Sequence, residues 1–266
     1  MQVVYEDNHI IIVSKSSGEI VQGDKTGDTP LSDIVKQYIK EKYQKPGEVF
    51  LGVVHRLDRP VSGLVVFART SKALTRLNKM FAEGQVHKTY WAIVESKERR
   101  VKSEEFATAE HFSEPSVTAV AARHSATLLQ STATERNSSL FTLHSSLLTH
   151  WLVRNEQQNK SYAYDREVPH SKKAQLRYSI ISRGDRYQLL EVELMTGRHH
   201  QIRCQLSKVG LPIRGDLKYG ARRSNADGSI SLLSRRVQFV HPVSKQLIDV
   251  TAPLPDSDPL WQTLAP

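Results

Sequence analysis

Cysteine is almost absent from the 266-residue chain: Cys204 stands alone. An internal disulfide and a cysteine-based zinc centre are excluded, and the usage fits a reducing compartment, so a cytoplasmic setting is expected. No apolar run approaches the roughly 20 residues of a membrane span. The opening Met1-Gln2-Val3-Val4-Tyr5-Glu6-Asp7 lacks the basic-then-apolar pattern of a secretion signal. Internal repeats and heptads are missing too. Acidic residues are in deficit, 28 Asp+Glu against 37 Lys+Arg, which gives a formal charge of +9. A polyanionic partner is the economical explanation of that imbalance. What is present is ordinary: 39% apolar and 24% charged residues, the mixture of a soluble globular protein long enough to bury a full core.

One stretch organises the rest. His55-Arg56-Leu57-Asp58-Arg59-Pro60-Val61-Ser62-Gly63 is rich in turn formers. Phe50–Val54 before it and Leu64–Ala68 after it read as short buried strands. Asp58 thus sits on a loop at a sheet edge between two arginines, whose guanidinium groups favour its ionised form. An ionised carboxylate on a rigid scaffold is a candidate nucleophile. The competing reading is a surface loop with an ordinary ion pair.

His-Arg-Leu-Asp followed by Ser-Gly resembles the signature loop of the RluA-type pseudouridine synthases. Three further matches lie in the family's order. Tyr5–Lys15 resembles its opening strand and following lysine, and Lys88-Thr89-Tyr90-Trp91-Ala92 resembles its tyrosine motif. Thr196–Arg203, Gly210–Asp216 and Tyr219-Gly220 resemble its C-terminal motif. The resemblance covers most of residues 1–95 and 147–255. It implies an α+β fold on a bent, mostly antiparallel sheet and isomerisation of uridine to pseudouridine in structured RNA, ribosomal or transfer.

Pseudouridine formation breaks the bond from ribose C1′ to uracil N1, turns the base and rejoins it through C5. It changes no oxidation state, so no cofactor is required. The resemblance implies that Asp58 is the catalytic aspartate, by attack on the sugar or by abstraction of a sugar proton. The resemblance also implies that Tyr90 is the active-site tyrosine, which packs on the base or takes part in the C5 proton transfer, and that Arg203 is the basic residue paired with the carboxylate. Arg56 or His55 would fill the gap left by an extruded base. Arg56 on a phosphate is the alternative. Val61 stands where the family often has Thr, and Cys204-Gln205 where Val-His is common. His199-His200 invites a metal reading, but neighbours on a helix point about 100° apart and cannot grip one ion, so no metal is expected.

Elsewhere the pattern gives one strand over residues 3–13 and a helix opened by Thr29 as N-cap and Pro30 as first residue. Leu31, Ile34, Val35, Tyr38 and Ile39 form that helix's apolar face. A second helix is capped by Ser71, faces inward through Leu74, Leu77 and Phe81, carries Lys72, Arg76 and Lys79 as a basic row and ends before Gly84. A strand Tyr90–Val94 follows. Strands Ala174–Ser182 and Tyr187–Leu194 form a hairpin, a helix follows Thr196-Gly197, and two more strands lie near 234–240 and 246–250. Residues 97–146 lack sustained periodicity. Six Lys or Arg there balance six Glu, so the whole +9 falls on the remainder. The stretch reads as an insertion in a single catalytic domain spanning 1–266, working as a monomer without the small N-terminal RNA-binding domain of many relatives. Two rivals are an RNA-binding chaperone, which needs none of Asp58, Tyr90 and Arg203, and a glycosidase, which needs a second carboxylate across the bond.

Overall fold

Each of the central strands is apolar at consecutive positions, and the reason is a sheet covered on both faces. The computed structural model describes residues 1–95 and 145–266. The expected insertion at 97–146 lies outside the described residues except for its last two, and Ser146 already belongs to a strand. Among the described residues eleven strands share one sheet: β1 (Gln2–Glu6), β2 (Ile10–Lys15), β3 (Gly52–Val53), β4 (Ser62–Ala68), β5 (His87–Glu95), β6 (Ser146–Asn155), β7 (Lys160–Tyr164), β8 (Lys172–Arg183), β9 (Tyr187–Leu194), β10 (Leu232–Val240) and β11 (Leu247–Thr251). Their order is β1-β2-β4-β10-β5-β9-β8-β6-β7, with β3 on β4 and β11 on β10. Every pairing is antiparallel except β4 with β10.

Side chains alternate across a strand, so each strand feeds two cores. Ile11, Val13, Val65, Phe67, Ala92 and Val94 pack on one side with helix α1 (Leu31–Lys42) and helix α3 (Gln201–Lys208). Ile10, Ile12, Leu64, Val66, Trp91 and Ile93 pack on the other with α2 (Ser71–Ala82) and the short α4 (Leu260–Leu264).

The parallel contact is brief, Leu233 opposite Ser62 and Ser234 opposite Gly63. It needs glycine. Gly63 has φ of 112°, and a Cβ there would lie 2.4 Å from the Ser234 carbonyl oxygen. β2 runs along one side of β4, so β10 and β3 divide the other, β10 at its start and β3 at its end.

Several local expectations change. Residues 3–13 form a hairpin, not one strand, because Asp7 turns the chain: its Oδ1 accepts from the N–H groups of His9 (2.7 Å) and Ile10 (2.8 Å). Only Gly52–Val53 of Phe50–Val54 pairs, and Phe50 is exposed. α1 begins at Leu31 with Pro30 as N-cap and no side-chain cap. The Ile20 and Val21 carbonyls accept from Leu31 and Ser32 N–H instead of a Thr29 side chain. Ile34 of its expected apolar face keeps 36% of its surface exposed, whereas Leu31, Val35 and Ile39 are buried. α2 is capped by Thr70, one residue before the expected Ser71, with its hydroxyl accepting from Ala73 N–H. Gly84 follows that helix with φ of 72°, as anticipated.

Ser146 pairs with Tyr178, Tyr178 with Val192 and Val192 with Tyr90, so Ser146 stands level with Tyr90 across the sheet. Glu95 lies five residues further along β5. Three strand spacings and that offset separate the two ends by about 22 Å, which about 10 linker residues span. Replacing residues 97–144 by such a Gly/Ser linker is expected to leave a cooperatively folding protein. Thermal melting checks this; loss of a transition would show that the sheet depends on the removed residues.

Candidate active site

The loop from β3 to β4 is held by its carbonyls. Val61 N–H bonds the Asp58 carbonyl at 3.0 Å, Gly18 N–H bonds that of Arg59 at 2.9 Å, and Ile230 N–H bonds that of Pro60 at 3.1 Å. Lys15, the last residue of β2, is fully buried. Its Nζ donates to the carbonyls of Ser16 (2.9 Å), Arg59 (3.1 Å) and Val61 (2.6 Å). Burial pulls its pKa down to about 8, against the carboxylates of Glu19 and Asp58. Leu57 and Val61 anchor the loop in the core, and between them the Asp58 side chain keeps 30% of its exposure.

The arginines that bracket Asp58 in sequence are not its partners. Arg59 turns outward to Asp28, 2.6 Å away. Arg56 is exposed and has no ion pair among the described residues. The cation on Asp58 comes from α3, 145 positions away: Arg203 Nη1 donates to Asp58 Oδ2 at 2.9 Å. Arg203 Nε and Nη2 grip the two oxygens of Asp216 at 2.7 and 2.9 Å. Arg203 and Asp216 are both buried. Burial works against charge on Arg203, but the two carboxylates outweigh it and hold its pKa raised. The guanidinium also lies over the Tyr219 ring, 5.1 Å from its centre.

Tyr90 is buried on β5, paired with Ser234 of β10 and Val192 of β9. Burial pushes its phenol up to about 12, with a further rise from the Asp58 charge and a hydrogen bond to Ser234 acting the other way. It is a neutral phenol at physiological pH. His55 is turned inward. Its Nε2 accepts from Val66 N–H at 3.0 Å, and its ring stacks on Phe81 at 4.9 Å. Burial, then the charge of Lys88, bring its pKa down to about 3. Of the two candidates for a vacated base position, His55 is committed to the fold, and Arg56 alone is exposed.

His199 and His200 are not helix neighbours. His200 precedes α3 in the left-handed region with φ of 51°, and the two rings stack 3.8 Å apart. His200 Nε2 is 3.4 Å from Asp58 Oδ2, and Nδ1 is 3.0 Å from the Tyr219 hydroxyl. His200, Asp216 and Tyr219 therefore join the site; in the sequence Asp216 and Tyr219 stand only as motif letters, and His200 only as half of a rejected metal pair. No group of three His, Cys, Asp or Glu placed to hold a metal ion occurs among the described residues. Cys204 is buried, and burial pushes its thiol up to about 12.

Residues 9–208 match the family described as RNA pseudouridylate synthase. The chain belongs to that family. It is 28% identical over 260 residues to an uncharacterized RNA pseudouridine synthase of Bacillus subtilis (strain 168), covering 96% of this chain and 69% of that protein. It is 28% identical over 268 residues to the ribosomal large subunit pseudouridine synthase C of Vibrio cholerae, covering 95% of this chain and 65% of the other. The chain thus spans about two thirds of the length of these relatives. The structure of human RNA pseudouridylate synthase domain containing 4 superposes with a TM-score of 0.66 at 18% identity, covering 99% of this chain and 94% of that one. The α+β pseudouridine synthase fold expected from the signature loop is the fold observed. No helix among the described residues is long and apolar enough to cross a membrane.

Lys15→Met is expected to lower stability by about 3 kcal/mol, because three carbonyls lose a charged donor. Chemical denaturation measures it; an unchanged midpoint would mean that the loop does not depend on the ammonium.

Proposed function

We propose that this pseudouridine synthase acts on ribosomal RNA and that Asp58 is its catalytic carboxylate. The observation that carries the assignment is a partly exposed carboxylate on a loop whose carbonyls from Asp58 to Val61 are all tied down, with a buried arginine on one oxygen. Rigid placement of a reacting oxygen beside ribose C1′ is what the step requires, and Arg203 favours the charge that the oxygen carries. The relatives that are named for their substrate act on the ribosomal large subunit, which supports the substrate class.

Tyr90 is near enough to this carboxylate to feel its charge and is a neutral phenol. Its part is to pack on the uracil or to donate a hydrogen bond, since a phenol titrating near 12 is a poor proton acceptor at neutral pH. Arg56, exposed two residues before Asp58, enters the space left by the extruded base or holds a flanking phosphate. The reading includes a reducing cytoplasmic setting, which the lone buried Cys204 supports, and a monomer as the working unit.

Asp58→Asn is expected to abolish pseudouridine formation while RNA affinity stays within a few-fold. Site mapping in ribosomal RNA from cells with and without the protein, and with the variant, checks both the substrate class and the residue. Pseudouridine made by the pure variant would remove Asp58 from its role; a site that disappears from transfer RNA instead would correct the substrate.

Affinity for RNA should also fall steeply with salt, because lysine and arginine contacts to phosphate release counterions. Titrations between low and physiological ionic strength measure the slope. A flat response would deny that the +9 charge serves RNA binding.

A further inference from the structure

His200 touches the same carboxylate oxygen as Arg203, from a second direction. Which of its nitrogens carries the proton follows from its neighbours. The Tyr219 hydroxyl accepts the Ser161 backbone N–H at 2.8 Å and faces His200 Nδ1 at 3.0 Å. If Nδ1 held the proton, the bare lone pair of Nε2 would face the Asp58 carboxylate 3.4 Å away, a repulsive arrangement. With the proton on Nε2, the Tyr219 O–H donates to Nδ1 and the positive end of the Nε2–H lies on the Asp58 side, so both contacts are attractive. Burial keeps the ring neutral, pulling it to about 3 in spite of Asp58, and the Arg203 and Lys218 cations push the same way.

Arg203 and His200 both bear on Oδ2. Among the described residues, Oδ1 of Asp58 has no hydrogen-bond partner. We propose that His200, fixed in its Nε2–H form by Tyr219, is a positioning residue that orients the Asp58 carboxylate with Arg203, so that Oδ1 is the oxygen presented to the ribose. This rests on the reading of Asp58 as the catalytic carboxylate. The separation of 3.4 Å is long for a hydrogen bond and shortens as the substrate displaces water. His200 meets no substrate atom in this account; it acts through Asp58. Its left-handed backbone suits the purpose, because it brings the ring back over the start of α3 and histidine adopts that region more readily than most residues.

Three variants separate the proposal from a structural role. His200→Asn fits the left-handed backbone and keeps a polar atom near Tyr219, but it is too short to reach Asp58. His200→Gln places an amide N–H near the position of Nε2. Tyr219→Phe keeps the ring under Arg203 and removes the hydroxyl that fixes the tautomer. Single-turnover pseudouridine formation is measured on ribosomal RNA from cells lacking the protein, together with RNA dissociation constants and melting temperatures. His200→Asn should fold and bind RNA within a few-fold of wild type yet turn over at least roughly tenfold more slowly, the effect of losing one hydrogen bond to a charged group. His200→Gln should recover most of that rate, and Tyr219→Phe should slow turnover without weakening RNA binding. A wild-type rate in His200→Asn overturns the proposal. So does a folded His200→Gln as slow as the Asn variant, or, should either His200 variant fail to fold, a wild-type rate in Tyr219→Phe. Pseudouridine from an Asp58→Asn control overturns the aspartate assignment itself, a different failure.

Discussion

The Arg203 guanidinium lies between two carboxylates, and the geometry of the site hangs on that bridge. Asp216 takes two of its N–H groups and Asp58 one. A buried arginine is costly unless its donors are met, so the pairing with Asp216 fixes where the third donor points before any substrate arrives. Asp58 comes to meet it on a loop that Lys15 secures from the other side. Each half comes from a different part of the chain, and the carboxylate sits where the two constraints coincide.

Within the signature loop, the inward and outward directions divide the labour. His55 faces β4 and Leu57 faces the core, while Arg56 and Arg59 face solvent. The inward residues hold the loop, and Arg56 remains available to RNA. A neutral imidazole at His55 fits the same division, because a charged ring could not accept the Val66 N–H.

Much of this was legible in the sequence, for a physical reason. Strands and hairpins announce themselves by alternation and turn residues, and β4, β8, β9, β10 and β11 fall close to where the pattern puts them. The signature loop located Asp58, and the motif around Arg203 located the cation that meets it. Hidden from the pattern was everything decided by distant contacts. Asp58 ignores the arginine beside it and takes one from α3. The cap of α1 comes from the carbonyls of Ile20 and Val21, which no local motif encodes. His199-His200 reads as a helical pair until the left-handed backbone at His200 stacks the rings. Lys15 shows in the sequence only as the lysine that follows the opening strand; the three carbonyls that bury it come together only in the fold.

The short parallel contact between β4 and β10 joins Gly63 to Ser234, and the Pro60 carbonyl is met by Ile230. These contacts close loops of well over a hundred residues, the kind of non-local pairing that folding reaches late. On the ribosome, Arg203, Ile230 and Ser234 therefore leave the exit tunnel long after Asp58 itself, whereas Lys15 and Gly18 precede it. A growing chain thus carries the signature loop with its N-terminal restraints alone, and the cation on Asp58 arrives only once α3 has emerged.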